Sequence, residues 1–175
     1  MKIWFKDHYR KMKMRSSLPK VKMIRLVERV LIKMGERSAE VGLILTGDAE
    51  IRRLNRQYRG IDQPTDVLAF PMREKREPSG QQPVARDKNK ITDIWQLDTG
   101  HYLLGDVVIS VPTAKRQATE QGHPLEQEIA VLMIHGLLHL MGYDHERSQT
   151  AARAMKRKER ELFRAVYELI HFGNR

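Results

Sequence analysis

The sequence predicts a fold that combines short strands with about five helices, and three observations support this expectation. Apolar residues recur at helical spacing in several segments, as in the run from Met23 to Met34. Short apolar runs of strand length, such as VGLILT at 41–46, lie between these segments. The second half of the segment 125–141 is apolar nearly all round, so its helix must pass through the core.

The order of the elements follows from these patterns and from the turn residues between them. The first helix is expected to end at Gly35, and the second helix, which Asp48 can cap, is expected to end at Gly60. Pro112 and Pro124 are each placed to open a helix. The predicted strands are 1–6 (a short edge strand), 41–46, 66–71 and 105–111, and the predicted helices are about 20–34, 48–59, 112–121, 124–141 and 148–170.

Composition narrows the possible partners and the cellular compartment. The formal net charge is +10, from 32 Lys and Arg against 22 Asp and Glu. Such an excess favours a polyanionic partner such as nucleic acid, although a basic soluble protein without one would have the same composition. The N-terminus lacks the uninterrupted apolar stretch of a secretory signal, and no apolar run reaches the roughly 18 residues of a spanning helix. We therefore expect a cytoplasmic protein that does not interact with a membrane.

Residues 72–103 differ from the rest of the chain because they are polar and rich in turn-forming residues. Only ITDIWQL within them is typical of a strand. We expect a surface excursion between two strands, whose role stays open between a solvated loop and an arm that contacts RNA. A length of 175 residues suits one domain, so we expect a single domain over 1–175.

Three histidines stand close together in HGLLHLMGYDH, residues 135–145. His135 and His139 lie four residues apart on a helix, so both side chains project from one face. Gly142 can end that helix in a left-handed conformation, and the chain then returns His145 toward the same point. Three imidazoles at one point suit Zn²⁺ or a related divalent ion and leave a coordination position open for water.

The alternative is that these histidines are ordinary core residues, as a lone histidine on an apolar helix usually is. However, three of the seven histidines fall within these eleven residues, and burying them without a shared partner would leave several polar groups unsatisfied. The chain has no cysteine, so a metal site must be built from histidine and carboxylate. The pattern therefore predicts a catalytic metal site.

The residue after the first histidine separates this motif from that of metalloproteases. Those enzymes place a glutamate there, which handles the proton of the metal-bound water. Here the position is Gly136, so proteolysis by that mechanism is disfavoured. A phosphodiester is a better substrate, because its negative charge can be met by a metal and basic side chains. Glycine costs a helix roughly 1 kcal/mol relative to alanine, so we expect Gly136 to make room for a substrate or another helix.

The histidine block, together with LLGDVVIS and LNRQYRGIDQPTDVLAFP before it, closely resembles the YbeY-type endoribonucleases, the bacterial rRNA maturation factors. The three blocks stand in the family's order, and the resemblance spans roughly residues 40–168. It implies an α+β fold in which a small mixed sheet packs against about five helices, one of them a zincin-like metal helix. It also implies cleavage of single-stranded RNA in ribosomal RNA processing and ribosome quality control, with the small ribosomal subunit as a partner.

The same resemblance assigns roles to individual residues. It implies that His135, His139 and His145 hold one divalent metal ion, expected to be Zn²⁺, and it places the family's functional arginine on Arg59. From the residues alone, Arg59 is either a clamp for a phosphate oxygen or a solvated arginine at a helix C-terminus.

Two aspartates near the motifs are candidates for orienting a ligand histidine. Asp106 either does so or begins a strand, and Asp144 is expected to fix the turn beside His145 rather than to bind metal. The chain departs from the family pattern in the longer stretch between the DVLAFP strand and LLGDVVIS and in its unusually basic first 20 or so residues. Neither departure touches the metal block, but both bear on the surface that contacts the substrate.

Two other functions stay open at this point. One is a non-catalytic ribosome-assembly factor whose metal only braces the fold, and the other is a zincin-like peptidase that uses an acid from elsewhere in the chain. The residues also leave open whether a metal-activated water or the neighbouring 2′-hydroxyl attacks the phosphate.

Overall fold

The computed structural model describes residues 1–8, 19–72 and 102–171, without the side chain of residue 171. Its strands are β1 (Lys2–Asp7), β2 (Ala39–Thr46), β3 (Val67–Pro71) and β4 (Tyr102–Ser110). Its helices are α1 (Lys20–Lys33), α2 (Asp48–Arg59), α3 (Val111–Gln121), α4 (Leu125–Leu140) and α5 (Gln149–His171). Most of the predicted excursion at 72–103 lies outside the described residues, and its last two residues belong to β4. None of the described helices has the length and apolar character needed to cross a membrane.

The four described strands form one mixed sheet in the order β1–β2–β4–β3. β1 runs parallel to β2 and β2 runs parallel to β4, whereas β3 pairs antiparallel with β4. β1 therefore lies at an edge, as the sequence predicted. The mixed sheet with its helices confirms the α+β fold.

The two faces of the sheet carry separate cores, because successive residues of a strand point to opposite sides. The larger core lies on the face packed against α1, α4 and α5 and contains Leu43 and Val107. The smaller core lies on the other face beneath α2, where Ile51 packs with Leu68 and Val108. The histidine-bearing helix α4 thus belongs to the larger core, as its apolar sequence predicted.

A bulge in β4 decides which face each of its residues occupies. The pairing with β2 shifts between Glu40 and Val41, which leaves Leu104 as an extra residue in β4. Leu104 is buried in the larger core, and Gly105 beside it has a φ of 139°, a conformation that favours glycine. A Cβ at Gly105 would also collide with the backbone of β3.

Asp48 does not cap α2 as the sequence suggested. The N-cap residue is Gly47, and no side chain caps the start of this helix. The Asp48 carboxylate instead accepts hydrogen bonds from Ser110, Thr113 and Arg116 at the start of α3. Burial alone would raise the pKa of Asp48, but these hydrogen bonds outweigh it and hold the pKa below its usual value. Asp48 therefore ties α2 to α3.

Candidate metal centre

The turn after α4 brings the third histidine of the motif back toward the first two. Gly142 adopts a left-handed conformation with φ 88°. Its N–H donates to the carbonyl of His139, and the N–H of Tyr143 donates to the carbonyl of Leu138, both at 3.0 Å. These two bonds form a Schellman motif, so the predicted glycine stop is confirmed. His145 lies in the turn that follows.

The three imidazole rings converge on one point at the protein surface. The ring centroids of His135 and His139 are 4.7 Å apart, and each lies within 5.3 Å of the centroid of His145. The Nε2 atoms of His135 and His139 are separated by 3.0 Å. Two nitrogens bound tetrahedrally to Zn²⁺ at 2.0–2.1 Å are about 3.3 Å apart. The donor set therefore fits a metal ion, and the exposed side of His145 leaves the point open to solvent.

Glu159 of α5 contacts His135 from the side opposite to this shared point. Its Oε1 lies 2.7 Å from Nδ1 of His135, and both side chains are partly buried. Because Nδ1 faces the carboxylate, Nε2 is left to face the other histidines. A carboxylate in this position fixes the orientation of a ligand imidazole and raises its basicity.

Sequence analysis missed Glu159, although the pattern of α5 contained a signal. The inward-facing positions of this helix carry Met155, Leu162 and Val166, which are all buried. Glu159 occupies the intervening position at which an apolar residue is expected. An acid on the inward stripe of an amphipathic helix therefore marks a side chain with a specific partner.

His139 lies in an environment that favours its neutral form. Burial lowers its pKa, and the neighbouring rings of His135 and His145 lower it further. The charge of Asp144 and a hydrogen bond with the backbone of Tyr143 act in the opposite direction, but the net shift is downward. Neutral imidazole is the form that binds a metal ion.

Gly136 allows the middle of α4 to approach the sheet closely. A Cβ at this position would lie 2.6 Å from Cγ1 of Val107 and 3.3 Å from Cγ2 of Val67. The glycine does allow a close approach, as expected. The neighbours that approach it are β3 and β4, however, and not a substrate or another helix. A side chain at 136 would point into the core, away from the solvent above the histidines.

Arg59 lies at the C-terminal end of α2, which Gly60 terminates in a left-handed conformation with φ 73°. Its Nη2 atom is 4.0 Å from Oε1 of Glu146, and the two side chains are 53% and 70% exposed. Since Glu146 directly follows His145, the fold brings Arg59 next to the loop that carries the third histidine.

The Asp144 side chain makes two hydrogen bonds within the turn that carries His145. Its Oδ1 accepts the backbone N–H of Glu146 at 3.0 Å, and its Oδ2 accepts Nε–H of Arg147 at 3.1 Å. The hydrogen bond from the Glu146 backbone, together with Arg147, lowers the pKa of Asp144. Both oxygens are thus engaged within the loop.

The structure does not bring Asp106 to the histidines. Its side chain lies on the α2 face of the sheet, against the backbone of Gly42, whereas α4 packs on the opposite face. There it lines a cavity of about 430 Å³ together with Glu50 and Tyr58. The alternative that Asp106 begins a strand is also not observed, because β4 begins at Tyr102.

Comparison with known proteins places the chain in a family. A family model described as Endoribonuclease YbeY matches residues 8–167. The chain belongs to this family. Endoribonuclease YbeY of Persephonella marina is 43% identical over 140 residues, which cover 80% of this chain and 78% of that protein. Endoribonuclease YbeY of Moorella thermoacetica is 49% identical over 121 residues, or 69% of each chain.

A solved structure agrees with the membership of the endoribonuclease YbeY family. The solution structure of TM1509 from Thermotoga maritima is similar with a TM-score of 0.57 and 26% sequence identity. The similarity covers 94% of this chain and 89% of that one. The resemblance inferred from the three sequence blocks is therefore confirmed.

Proposed function

We propose that this protein is a metal-dependent endoribonuclease that cuts single-stranded ribosomal RNA during rRNA processing and ribosome quality control. Membership of the endoribonuclease YbeY family shows the class of reaction, cleavage within an RNA chain. The single observation that supports the location of this reaction is the convergence of His135, His139 and His145 at a solvent-accessible point. The proposal places the protein in the cytoplasm, in association with the small ribosomal subunit.

The three histidines would hold one divalent ion, which we propose to be Zn²⁺. When bound, such an ion supplies Lewis acidity at the phosphate that is attacked. The protein contributes the orientation of the ligands: Glu159 holds the ring of His135 in place, and burial keeps His139 in its neutral form. Three protein ligands with one side open are typical of a catalytic rather than a structural zinc site, which supports an enzyme over a metal-braced assembly factor.

Arg59 is the side chain proposed to hold the phosphate. Its guanidinium is half exposed, and it contacts Glu146 beside the third histidine. The planar donor fork of arginine suits two phosphate oxygens, and an exposed cation next to a metal centre lowers the energy of an approaching polyanion. The net charge of +10 acts in the same direction over the whole protein.

The site does not favour peptide hydrolysis by an acid from elsewhere in the chain. Among the described residues, Glu159 is the carboxylate hydrogen-bonded to the cluster, but it faces Nδ1 of His135, away from the point on which the rings converge. An acid at position 136 would collide with Val107. Neither position therefore provides the proton acceptor that a metalloprotease needs beside the attacking water.

The test of this proposal compares metal content and cleavage of a labelled single-stranded RNA in purified variants. We expect His139→Ala to lose both bound metal and cleavage, whereas His8→Ala, a histidine outside the cluster, keeps both. Equal cleavage by His139→Ala and the wild type would remove the histidines from the reaction. A wild type that binds metal but cuts no RNA would instead favour the metal-braced assembly factor.

Arg59→Ala extends the same experiment. Loss of one preorganised contact to a charge that develops in the transition state slows a reaction by about 10²–10³-fold, so we expect slow cleavage with full metal content. Loss of metal in this variant would assign Arg59 to the structure of the loop rather than to the phosphate.

A further inference from the structure

A groove between α4 and α5 lies behind the histidine cluster, on the side of His135 that faces Glu159. Val131 and Ile134 of α4 and Phe163 of α5 form its apolar floor, and its volume is about 290 Å³. Glu159 also lines the groove, and it is the residue that contacts His135. Val131 lies about one helical turn before His135, so the groove leads away from the histidines along both helices.

Basic side chains line this groove and the hollow beside it. Lys156, Arg160 and Arg164 of α5 line the groove. Arg160 and Arg164 also line a second hollow of about 620 Å³, together with Arg157 and with Lys33 at the end of α1. We name these five residues the basic ridge. In the described part of the chain, no hydrogen bond or ion pair engages any of the five side chains.

The carboxylates among these residues are already engaged. Glu159 faces His135 at 2.7 Å, and Glu161 forms an ion pair with Nζ of Lys158 at 3.0 Å. The positive charge of the basic ridge is therefore not neutralised locally. A surface of this kind, with low-dielectric walls beside it, concentrates anions.

We propose that this groove binds the single-stranded RNA on one side of the bond that is cut, an inference that rests on the proposed function. The phosphates contact Arg160 and Arg164, and the bases lie on the apolar floor formed by Val131 and Phe163. Proteins that hold single-stranded nucleic acid commonly combine a positively charged groove with apolar and aromatic surfaces for the bases. The combination of unneutralised basic side chains with an apolar floor beside His135 favours single-stranded RNA over an acidic protein.

The test is a charge-neutralising double variant with a matched control. Arg160→Gln/Arg164→Gln removes two basic side chains one turn apart on α5. Arg25→Gln/Arg29→Gln removes two exposed basic side chains with the same spacing on α1, neither of which lines the groove or the hollow beside it. Binding of metal-loaded protein to a labelled single-stranded RNA is followed by fluorescence anisotropy at several salt concentrations. Cleavage of the same RNA gives KM and kcat.

We expect Arg160→Gln/Arg164→Gln to bind the labelled RNA, which must be long enough to reach the groove, about tenfold more weakly than Arg25→Gln/Arg29→Gln binds it. Its plot of log Kd against log salt should be shallower by about 1.4, which is about 0.7 for each of two lost phosphate contacts. KM should rise while kcat stays within about twofold, because the groove binds a flank rather than the reacting phosphate. An RNA too short to reach the groove should not distinguish the two variants.

A second pair of variants tests the floor of the groove. Val131 is 39% exposed and Val21 on α1 is 60% exposed, so a glutamate at either position is tolerated by the fold. Val131→Glu places a negative charge in the groove and should weaken RNA binding about tenfold, as the loss of one stacked base would. Val21→Glu should not change binding.

The outcomes separate this inference from the proposed function. If the wild type cuts RNA but the groove variants match their controls in Kd, salt dependence and KM, the groove inference is wrong and the nuclease stands. If the wild type does not cut, the nuclease proposal fails, and the binding data still decide whether the groove holds RNA. Unchanged RNA binding with lost association to ribosomal subunits would assign the ridge to a protein partner and overturn the inference.

Discussion

A histidine lies close to a glutamate near each end of α4, but only one of these pairs adjoins the candidate metal centre. Near the start of the helix, Nε2 of His123 lies 3.0 Å from Oε2 of Glu128, and the two side chains are 15% and 4% exposed. Near its end, Nδ1 of His135 lies 2.7 Å from Oε1 of Glu159, and both side chains are 30% exposed. A short distance between histidine and glutamate is therefore not a mark of function by itself.

The second ring nitrogen separates the two pairs. Nδ1 of His123 lies 3.3 Å from the carbonyl oxygen of Pro124 and its Nε2 lies 3.3 Å from Oε1 of Gln121, so both nitrogens face protein oxygens. Nε2 of His135 faces Nε2 of His139 at 3.0 Å, and the two rings present these nitrogens to a common point. A carboxylate orients an imidazole for a metal only when the other nitrogen is left for the metal.

The two glutamates also differ in their environment. Burial raises the pKa of Glu128; His123 counteracts this, and the negative charge of Asp66 adds to it. Oε2 of Glu128 is close to His123 but has no properly oriented hydrogen bond in the described part of the chain. The pair at the start of α4 is thus an imperfectly satisfied buried pair, whereas the pair near its end adjoins the cluster of three histidines.

Of the substitutions that distinguish the two histidine–glutamate pairs, Glu159→Gln is expected to have the largest effect. Removing the charge that orients His135 should weaken metal binding by about 10–100-fold. Affinity can be measured by competition with a chelator of known strength. Because Glu159 is partly exposed, thermal unfolding of the metal-free variant should stay close to that of the wild type.

Glu161→Gln is the matched control for this change, since it removes the same charge two residues further along α5. Its metal affinity should equal that of the wild type. If the two variants bind metal equally well, the contact between Glu159 and His135 is structural, and the contrast between the ends of α4 disappears.

The sequence predicted the cluster of three histidines better than the residues around it. The cluster depends on residues close together in the sequence, whereas its surroundings depend on residues far apart in the sequence. A spacing of four residues on a helix and a glycine stop are local features, and they placed His135, His139 and His145 together. Glu159 reaches His135 from 24 residues away in the sequence, through the packing of α5 on α4. The spacing of residues in the sequence does not predict that contact. The only indication of it is an acid among the inward-facing apolar residues of α5.

The same distinction explains where the fold departed from expectation. The apolar runs predicted β2 and α4 well, because burial leaves a direct pattern in the sequence. For Asp106 the sequence left two alternatives open and predicted no face of the sheet, because the face of a strand residue depends on strand pairing. Asp48 resembled a cap, but its partners include Ser110 at the end of β4 and Thr113 in α3, which only the tertiary structure brings near.

A smaller effect is expected from Gly136→Ala, midway between the two ends. The added methyl group meets the side chain of Val107, and overpacking of this kind costs about 1–3 kcal/mol. Alanine restores about 1 kcal/mol of helix propensity, so the free energy of unfolding should fall by about 1 kcal/mol net. Urea denaturation measures this change.

Val131→Ala is the control, because it also improves helix propensity but at a partly exposed site of α4. It should leave the free energy of unfolding unchanged or slightly raised. If Gly136→Ala is stabilised as well, Val107 can move aside, and close packing on the sheet does not require the glycine.

The smallest effect is expected from Glu128→Gln at the buried pair. The pKa of Glu128 is raised in the folded protein, so the wild type loses stability as the pH rises from the ordinary glutamate pKa through the raised one. Glutamine does not titrate, so the variant avoids the cost of a buried negative charge at high pH. We expect the variant to melt a few degrees above the wild type at pH 8, with the difference shrinking toward pH 4.

Glu126→Gln, in the same first turn of α4, controls for the loss of a negative charge near the helix N-terminus. It should not show the same dependence on pH. A difference in Tm between Glu128→Gln and the wild type that stays constant from pH 4 to pH 8 would contradict the raised pKa. The buried charge of Glu128 would then cost no stability, and burial would not distinguish the pair of His123 and Glu128 from the pair of His135 and Glu159.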